Sequence, residues 1–441
     1  MNSEILRSLL DKANVEFSTG NHSEAEKLAT EVFEKSAVKN GTIIDDYTAD
    51  SLRANSMLLL ATIANIRGNW DDVMSITGEA LAIAEHHSLP KIKIGMWNIL
   101  GNLYRLRGYY ERALEYFEKA LGVCVDSQDT SLYALVNGNI GIVHASRGTY
   151  DKALEYFSLS LSAYEKLGEQ SRIAIAIGNI GNVYSDIGRS DQALVYFYRA
   201  LAIREELGEK SGIAYVKGNI GLAYLSLGDY DKALEFFYAA LAIHSTLKSN
   251  PAIALSTGNI GMVYQRLNKY SKALEYYGKS LEIRRQLDDK SGIARILEHI
   301  GTLYSDKDFE GYDAVKAEEY LLKALAIFEE IDSKHVLYLT YRNLATLYEQ
   351  EQRWEESYFH YKKFHEIKEE VQSQETLHQA EQLVHERQIA EREKTLAVER
   401  ARSQATDDIL ANILPLNIVE RLIKGEKKNS RNPRERDCAV Y

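Results

Sequence analysis

Six glycines recur at intervals of 40 residues through the middle of the chain, and this spacing constrains the fold more than any other feature of the sequence. The six are Gly101, Gly141, Gly181, Gly221, Gly261 and Gly301. An aromatic side chain, tyrosine or histidine, follows each of them three residues later, and a column of alanines lies twelve residues after the first five. A fixed period of this length is typical of repeat arrays, in which each unit packs on its neighbours along one direction.

A single repeat contains two helical patterns separated by a break. Small and apolar residues recur at helical spacing from Ile213 to Ser226, which predicts a first helix. Leu227 to Tyr230 contains a glycine and predicts a turn, and Asp231 to Leu247 predicts a second helix. Gly221 and Ala233 are small, so we expect the two antiparallel helices to cross closely there. Because one hairpin cannot bury its own apolar face, the sequence predicts an all-α solenoid of stacked hairpins.

The repeat register extends in both directions and predicts about nine hairpins. It runs back to Ala13 and forward to Trp354, past an insertion between Asp308 and Asp313. The chain has only four prolines in 441 residues. This suits an almost entirely helical protein, because an interior proline removes a helical hydrogen bond and clashes with the preceding turn. We therefore expect residues 1–365 to form the repeat solenoid.

The residues within one repeat resemble the tetratricopeptide pattern in their order. They are Ile220, Gly221, Tyr224, Gly228, Tyr230, Ala233, Phe237 and Ala240. The usual period of that family is about 34 residues, so this chain is more similar to the longer repeats of kinesin light chains and LGN-type adaptors. The resemblance implies a right-handed superhelical solenoid whose first helices line a concave groove. It also implies that the partner bound in this groove is a peptide or a protein segment.

One asparagine per repeat lies just ahead of the packing glycine or alanine, where the resemblance implies that it faces inward. These are Asn139, Asn179, Asn219, Asn259 and Asn343. A carboxamide both donates and accepts hydrogen bonds, so a row of them suits the backbone of an extended peptide. A glycine precedes each of the first four, which we expect to leave the floor of the groove open. The alternative is that these glycines only admit the neighbouring helix and that the asparagines hold the hairpins together.

Specificity for the ligand is expected to come from inward positions that vary between repeats. The candidate binding residues at these positions are Asn182, Asp186, Met262 and Arg266. They combine amide, acidic, apolar and basic side chains, so they form neither a purely cationic nor a purely hydrophobic wall. The identity of the ligand does not follow from this composition.

The last helix of the array is predicted to continue beyond the repeats. From Glu355 to Leu414 the sequence has neither glycine nor proline, and charges of both signs are interspersed along much of it. Leu377 and Val384 are seven residues apart, and a second set with this spacing begins at Ile389, which favours a two-stranded coiled coil with a stutter. We expect residues 366–414 to form a parallel homodimer. The alternative is a single solvated helix with intrahelical ion pairs.

The segment from Ala405 to Tyr441 resembles the linker that precedes the catalytic domain of class III adenylate and guanylate cyclases. The residues that carry the resemblance are Ile409, Leu410, Asn412, Ile413, Leu414, Pro415, Ile418, Glu420, Arg421, Leu422, Gly425 and Glu426. It implies that residues 415–441 are a linker and the start of a cyclase-like output domain. The first metal-binding aspartate of that family is then expected after Tyr441, so we expect no catalytic activity from this chain itself.

Bulk properties argue against several classes of function. The net charge of -11 disfavours general nucleic-acid binding, which requires cations that displace phosphate counterions. Only Cys124 and Cys438 are present, so neither a disulfide framework nor a cysteine metal site is expected, as suits a cytoplasmic protein. No apolar run is long enough to predict a membrane-spanning helix, and no phosphate-binding loop, zinc-protease motif or other motif predicts a cofactor or metal.

The leading interpretation is a cytoplasmic sensor that binds a peptide or protein and regulates a C-terminal signalling output through a dimeric coiled coil. A class III nucleotide cyclase is the favoured output. The alternative is a free-standing tetratricopeptide adaptor that mediates protein–protein interaction. Both interpretations use the concave groove, and they differ in whether an output domain is controlled.

Overall fold

The computed structural model describes residues 3–18, 21–36, 46–66, 69–331 and 334–369. The chain divides into two units, Met1–Lys368 and Glu369–Tyr441, and the description below concerns the first. Nearly all of the predicted coiled coil, from residue 370 onward, and the whole predicted linker at 415–441 lie outside the described residues.

Eighteen helices make up most of the described chain, which contains no strand. They are α1 (Ser3–Ser18), α2 (His22–Ser36), α3 (Asp46–Ile66), α4 (Trp70–His86), α5 (Pro90–Leu106), α6 (Tyr110–Ser127), α7 (Thr130–Ser146), α8 (Tyr150–Leu167), α9 (Gln170–Asp186), α10 (Ser190–Leu207), α11 (Lys210–Leu227), α12 (Tyr230–Thr246), α13 (Asn250–Arg266), α14 (Tyr270–Gln286), α15 (Lys290–Tyr304), α16 (Ala314–Glu330), α17 (Lys334–Gln350) and α18 (354–369). Taken in order they form nine hairpins. The predicted all-α solenoid is therefore confirmed for this part of the chain.

The turn between α11 and α12 shows why the two helical patterns are separated by a glycine. Gly228 has a φ of 79°, in the left-handed region that glycine adopts without steric cost, and its N–H bonds to the Leu225 carbonyl at 3.1 Å. Asp229 follows at once as the N-cap of α12, and its Oδ1 accepts from the Lys232 N–H at 3.2 Å. The chain thus reverses direction within two residues.

The glycines of the 40-residue spacing mark the closest approach of the two helices in a hairpin. A Cβ placed on Gly221 would lie 2.7 Å from the ring of Phe237, which is fully buried. The other five spaced glycines stand in the same relation to Phe117, Phe157, Phe197, Tyr277 and Leu321, at 2.6–2.7 Å. Only a residue without a side chain fits against these buried side chains, so the predicted reason for the glycine column is confirmed.

The aromatic residue three positions after each spaced glycine stacks on an aromatic ring of the second helix. In the α11–α12 hairpin, Tyr224 stacks on Phe236 with centroids 5.7 Å apart. Equivalent stacks join Tyr104 to Tyr116, His144 to Tyr156, Tyr184 to Tyr196, Tyr264 to Tyr276 and Tyr304 to Tyr320. Phenol groups also link neighbouring hairpins, because the hydroxyls of Tyr198 and Tyr224 are 3.0 Å apart.

The first helices form the inner layer of the solenoid. From α1 to α15, each first helix contacts the first helix of the next hairpin, whereas consecutive second helices in this range make no comparable contact. A stack whose members approach more closely on one side curves toward that side. The concave surface is therefore lined by the first helices, as predicted.

Candidate functional site

The side chains that face the concave surface occupy one stripe on each first helix. On α9 these residues are Ile175, Gly178, Asn179, Asn182 and Asp186, of which Gly178 is buried and adjoins Asn179. At 100° per residue they fall on one side of the helix, opposite the buried residues that pack on α10. We call the surface formed by this stripe and its equivalents on α7, α11, α13, α15 and α17 the concave face.

An exposed apolar row runs along one edge of the concave face. Ile175, Tyr215 and Leu255 are 46%, 55% and 54% exposed, and they are spaced by 40 residues on α9, α11 and α13. No neighbouring hairpin covers them, although each is large and apolar. These residues were missed by the sequence prediction. The sequence does mark them, because each is an apolar residue six positions before a spaced glycine, at a repeat position that does not contribute to the core.

The glycines on the floor of the concave face divide into two pairs. No heavy atom beyond their own chain neighbours lies within 4 Å of a Cβ placed on Gly178 or on Gly218. A Cβ on Gly138 would lie 3.3 Å from Ser160 Oγ, and one on Gly258 would lie 3.2 Å from Ile296 Cδ1. The glycines of the outer pair therefore admit a neighbouring helix, whereas the middle two leave open space that packing does not require.

Three of the predicted binding asparagines are engaged with the preceding hairpin. Asn139 donates from Nδ2 to Asn98 Oδ1 at 2.6 Å, Asn219 donates to Asn182 Oδ1 at 2.9 Å, and Asn343 donates to Glu298 Oε1 at 2.9 Å. Each bond crosses from one first helix to the previous one. At these three positions the asparagine contributes to the stacking of hairpins, which was the alternative explanation for the row.

Asn179 and Asn259 differ from the others because their side chains form no hydrogen bond with any described residue. Asn179 is half-buried, and Asn259 has 8% of its surface exposed. Each lies on the concave face beside one of the floor glycines. Of the five asparagines in the predicted row, these two therefore have amide groups without a partner among the described residues, and that of Asn179 is the more exposed.

The variable positions carry groups of different chemistry. Asn182 Oδ1 accepts a hydrogen bond from Asn219, and Met262 is half-buried. Asp186 is accessible to water, yet desolvation by the surrounding protein raises the pKa of its carboxyl above the usual value. Arg266 is exposed and forms no ion pair with a described residue. The face thus offers an acidic group on α9 and a basic group on α13.

Toward α17 the concave face changes character. Glu298 takes the place of the floor glycine, is buried, and accepts hydrogen bonds from Thr340 Oγ1 at 3.1 Å and from Asn343. Burial raises the pKa of its carboxyl, although these hydrogen bonds oppose the shift. The next residue, His299, stacks on Tyr277 at 5.6 Å, and burial lowers its pKa to about 4. At this end of the concave face, a hydrogen-bonded carboxyl therefore replaces the floor glycine and an uncharged imidazole replaces the asparagine.

Neither metal nor nucleophilic chemistry is indicated in the part of the chain that the structure describes. No group of three or more His, Cys, Asp or Glu side chains there could hold a metal ion. Cys124 is buried in the core, where desolvation raises the pKa of its thiol to about 11. Among the same residues, no helix combines the length and the apolar character needed to span a bilayer.

Fold and site together define a helical-repeat protein with an open concave face. The sequence model of the Tetratricopeptide repeat family matches residues 94–166, 130–206, 210–286 and 251–310. These matches fall on the hairpins from α5 to α15 and so include the concave-face residues from Asn139 to Glu298. Residues 94–206 and 210–310 therefore match tetratricopeptide repeats. Comparison with the sequences of curated proteins gives no significant match.

Several solved structures have the same fold at low sequence identity. A Rap protein complexed with Competence and Sporulation Factor has a TM-score of 0.61 and 17% identity, covering 84% of this chain and 99% of that chain. The apo quorum sensor NprR from B. thuringiensis has a TM-score of 0.58 and 15% identity, covering 82% and 99%. The Rap conjugation gene regulator of the plasmid pLS20, in complex with the Phr* peptide, has a TM-score of 0.53 and 19% identity, covering 84% and 96%.

Proposed function

We propose that the chain is a binding protein that takes an extended peptide or protein segment along its concave face. The observation that carries this proposal is the unused surface of α9, α11 and α13. There the exposed apolar row lies beside a floor that Gly178 and Gly218 leave open and beside the unpartnered amide of Asn179. The peptide complex among the structures with this fold supports the same reading.

The chemistry of this surface suits an extended ligand. Apolar side chains of the ligand gain free energy by covering Ile175, Tyr215 and Leu255, at about 25 cal/mol per Å² of apolar area removed from water. The asparagine amides supply donors and acceptors for the ligand backbone, whose polar groups would otherwise be left without partners on burial. A repeat of 40 residues places one such set on each hairpin, so that successive hairpins contact successive parts of the ligand.

The test replaces Asn179, Asn219 and Asn259 together by alanine. Each lost hydrogen bond costs roughly 0.5–1.5 kcal/mol, so binding is expected to weaken at least tenfold. The ligand is a decapeptide selected from a random synthetic library on the purified chain, and its affinity is measured by titration calorimetry. The single variant Asn179→Ala is the matched control for folding, because its amide has no partner among the described residues.

Thermal melting separates the two roles of the asparagines. The Asn179→Ala variant should melt with the parent chain, whereas the triple variant also loses the bond from Asn219 to Asn182. Unchanged binding by the triple variant would exclude the asparagine row as the binding site. A large loss of melting temperature in both variants would mean that the asparagines hold the hairpins together.

We further propose that ligand binding regulates a C-terminal output, favoured as a class III nucleotide cyclase, through a homodimeric helix at 366–414. The support is the sequence resemblance of Ala405–Tyr441 to a cyclase linker and the seven-residue apolar spacing ahead of it. A free-standing adaptor uses the same concave face and is the second candidate. A dimeric helix with a stutter has two packings of similar energy, which suits the transmission of a binding signal.

A further inference from the structure

A pocket lies between the third and fourth hairpins and uses none of the residues of the concave face. Helices α6, α7 and α8 surround it, and its volume is about 320 Å³. Pockets that bind small molecules have volumes of roughly 300–1,000 Å³. We call it the junction pocket. Its apolar residues are Cys124, Val125, Tyr133, Leu159 and Ala163, and Lys166 is its basic residue.

Two buried residues of the junction pocket are smaller than their counterparts in the later repeats. Cys124 and Ala163 are only 1% and 6% exposed. The later counterparts of Cys124 are Tyr164, Arg204, His244 and Arg284, and those of Ala163 are Ile203, Ile243 and Ile283. Small side chains in a core leave space that costs stability. Packing therefore gives no reason for both exceptions to line one pocket.

Two exposed residues of the junction pocket are apolar at positions that are mainly charged or polar in the later repeats. Val125 is 60% exposed and Leu159 is 39% exposed. The later counterparts of Val125 are Glu165, Glu205, Ser245 and Arg285, and those of Leu159 are Arg199, Ala239 and Lys279. Exposed apolar patches often mark surfaces that contact a ligand. The junction pocket is therefore apolar both on its buried floor and on its exposed wall.

The junction pocket also carries a cation without a partner. Lys166 is exposed, and its side chain forms neither an ion pair nor a hydrogen bond with a described residue. Its counterparts in the preceding and following repeats, Asp126 and Glu206, are both acidic. The acid of the pocket, Asp129, caps the N-terminus of α7 and pairs with Lys91 Nζ at 3.4 Å. Lys166 is therefore available to an anionic group that comes from outside the chain.

We propose that the junction pocket binds a small molecule that has an apolar body and one anionic group. Contact of the apolar body with Val125 and Leu159 removes apolar surface of both partners from water, which supplies most of the affinity. The ion pair with Lys166 selects an anion, although an exposed ion pair adds little affinity by itself. Because the exceptions to the repeat occur together at one junction, the surface fits a compact molecule rather than a segment that extends along the array. This site is independent of the proposed peptide binding.

Two fluorescent probes that differ by one sulfonate group test the proposal. 8-Anilinonaphthalene-1-sulfonate has apolar rings and one anionic group, and N-phenyl-1-naphthylamine has the same rings without the sulfonate. Each probe is titrated with the purified full chain, and the increase in fluorescence gives its dissociation constant. We expect Lys166→Gln to weaken binding of the sulfonate about threefold, the effect of one exposed ion pair, and to leave binding of the neutral probe unchanged.

Two variants copy residues of the next repeat into the pocket. Val125→Glu copies Glu165 and replaces part of the exposed apolar wall with a charge. Ala163→Ile copies Ile203 and fills the buried floor. Each is expected to weaken binding of both probes roughly tenfold, because apolar contacts are lost or the space is taken. The melting temperature of Ala163→Ile should not fall below that of the parent chain, since isoleucine fills space that alanine leaves open.

Val195→Glu is the matched control, because this exposed valine of α10 lies outside the pocket and Glu155 stands at the same position of the preceding repeat. It should bind both probes as the parent chain does, and melting shows that each variant is folded. Equal binding by the parent chain, Val125→Glu and Ala163→Ile would overturn the proposal, as would an equal effect of Lys166→Gln on the two probes. Absence of sulfonate binding to the parent chain would also overturn it and would leave the pocket to an apolar side chain of a partner protein.

Discussion

Gly178 and Gly181 lie three residues apart on α9 and are glycine for different reasons. A Cβ at Gly181 would lie 2.6 Å from the ring of Phe197, whereas nothing lies within 4 Å of one at Gly178. Close packing of two helices accounts for Gly181. Packing does not require a glycine at position 178, where it costs roughly 0.5–1 kcal/mol relative to alanine in a helix interior. Its presence therefore fits a floor kept open for a ligand.

This contrast gives a prediction for two single substitutions. Gly178→Ala is expected to raise the free energy of unfolding by up to about 1 kcal/mol, while the added methyl group narrows the groove and weakens peptide binding. Gly181→Ala is expected to lower the free energy of unfolding by about 1–3 kcal/mol, because the ring of Phe197 must shift. Urea unfolding and calorimetric titration with a selected decapeptide check both. Equal stability changes in the two variants would contradict this account.

The asparagine row shows what the sequence could predict at this scale and what it could not. The sequence predicts the column on the first helices, but the partner of each amide depends on the preceding repeat. Asn139 and Asn343 find Asn98 and Glu298 one repeat earlier, where Asn179 and Asn259 find only glycine. Comparing these two columns between successive repeats would have separated Asn139 and Asn343 from Asn179 and Asn259, but not Asn219, whose partner Asn182 lies in a third column. A single column considered alone could not.

At the scale of the hairpin, the stacked aromatic pair near the turn is common to six repeats, and one member differs. In the α7–α8 hairpin the first ring is His144, which stacks on Tyr156 at 5.4 Å and bonds to Thr149 through Nδ1 at 2.9 Å. Burial lowers the pKa of His144 to about 4, so the folded hairpin holds a neutral imidazole. The other five repeats have tyrosine in this place and carry no such titration near neutral pH.

A prediction about pH follows from this difference. Between about pH 6.5 and pH 4 the unfolded chain binds a proton at His144 that the folded chain does not, so stability is lost as the pH falls through this range. His144→Tyr, which copies the other repeats, should raise the free energy of unfolding by roughly 1–2 kcal/mol at pH 5. It should have little effect at pH 8. Urea unfolding at the two pH values measures this, and a gain of the same size at both would show that packing rather than protonation is responsible.

For the whole molecule, most of the fold was predicted from the 40-residue period of the sequence. Because each hairpin contacts mainly its neighbours, one repeat understood in detail predicts the array, and the close approach of Gly221 to Phe237 recurs in six hairpins with only its partner residue changing. The exposed apolar row was not predicted, since an apolar residue at helical spacing is ordinarily assigned to the core. Solvent exposure depends on curvature and on which neighbour is present, and neither follows from a single repeat.

The last helix carries the prediction about assembly. On α18, Trp354, Tyr358 and Tyr361 are exposed at spacings of four and three residues, which places them on one face of the helix. This exposed aromatic face lies immediately before the segment 366–414 proposed to form the homodimer. We therefore expect the full chain to be dimeric, with a mass in solution twice the 50.0 kDa of one chain. A chain that ends at Val371 should be monomeric, because it lacks the seven-residue apolar spacing.

Light scattering coupled to gel filtration, over a dilution series that reaches tens of micromolar, measures both masses. The shortened chain retains every described hairpin and serves as the matched control, so its melting temperature should remain close to that of the full chain. Replacing Leu377 and Val384 by serine in the full chain should weaken the dimer without touching the repeats, since an apolar seam is the main source of association in a coiled coil. A full chain that stays monomeric throughout the series would exclude the dimer, and with it a dimeric helix as the route from the concave face to an output domain.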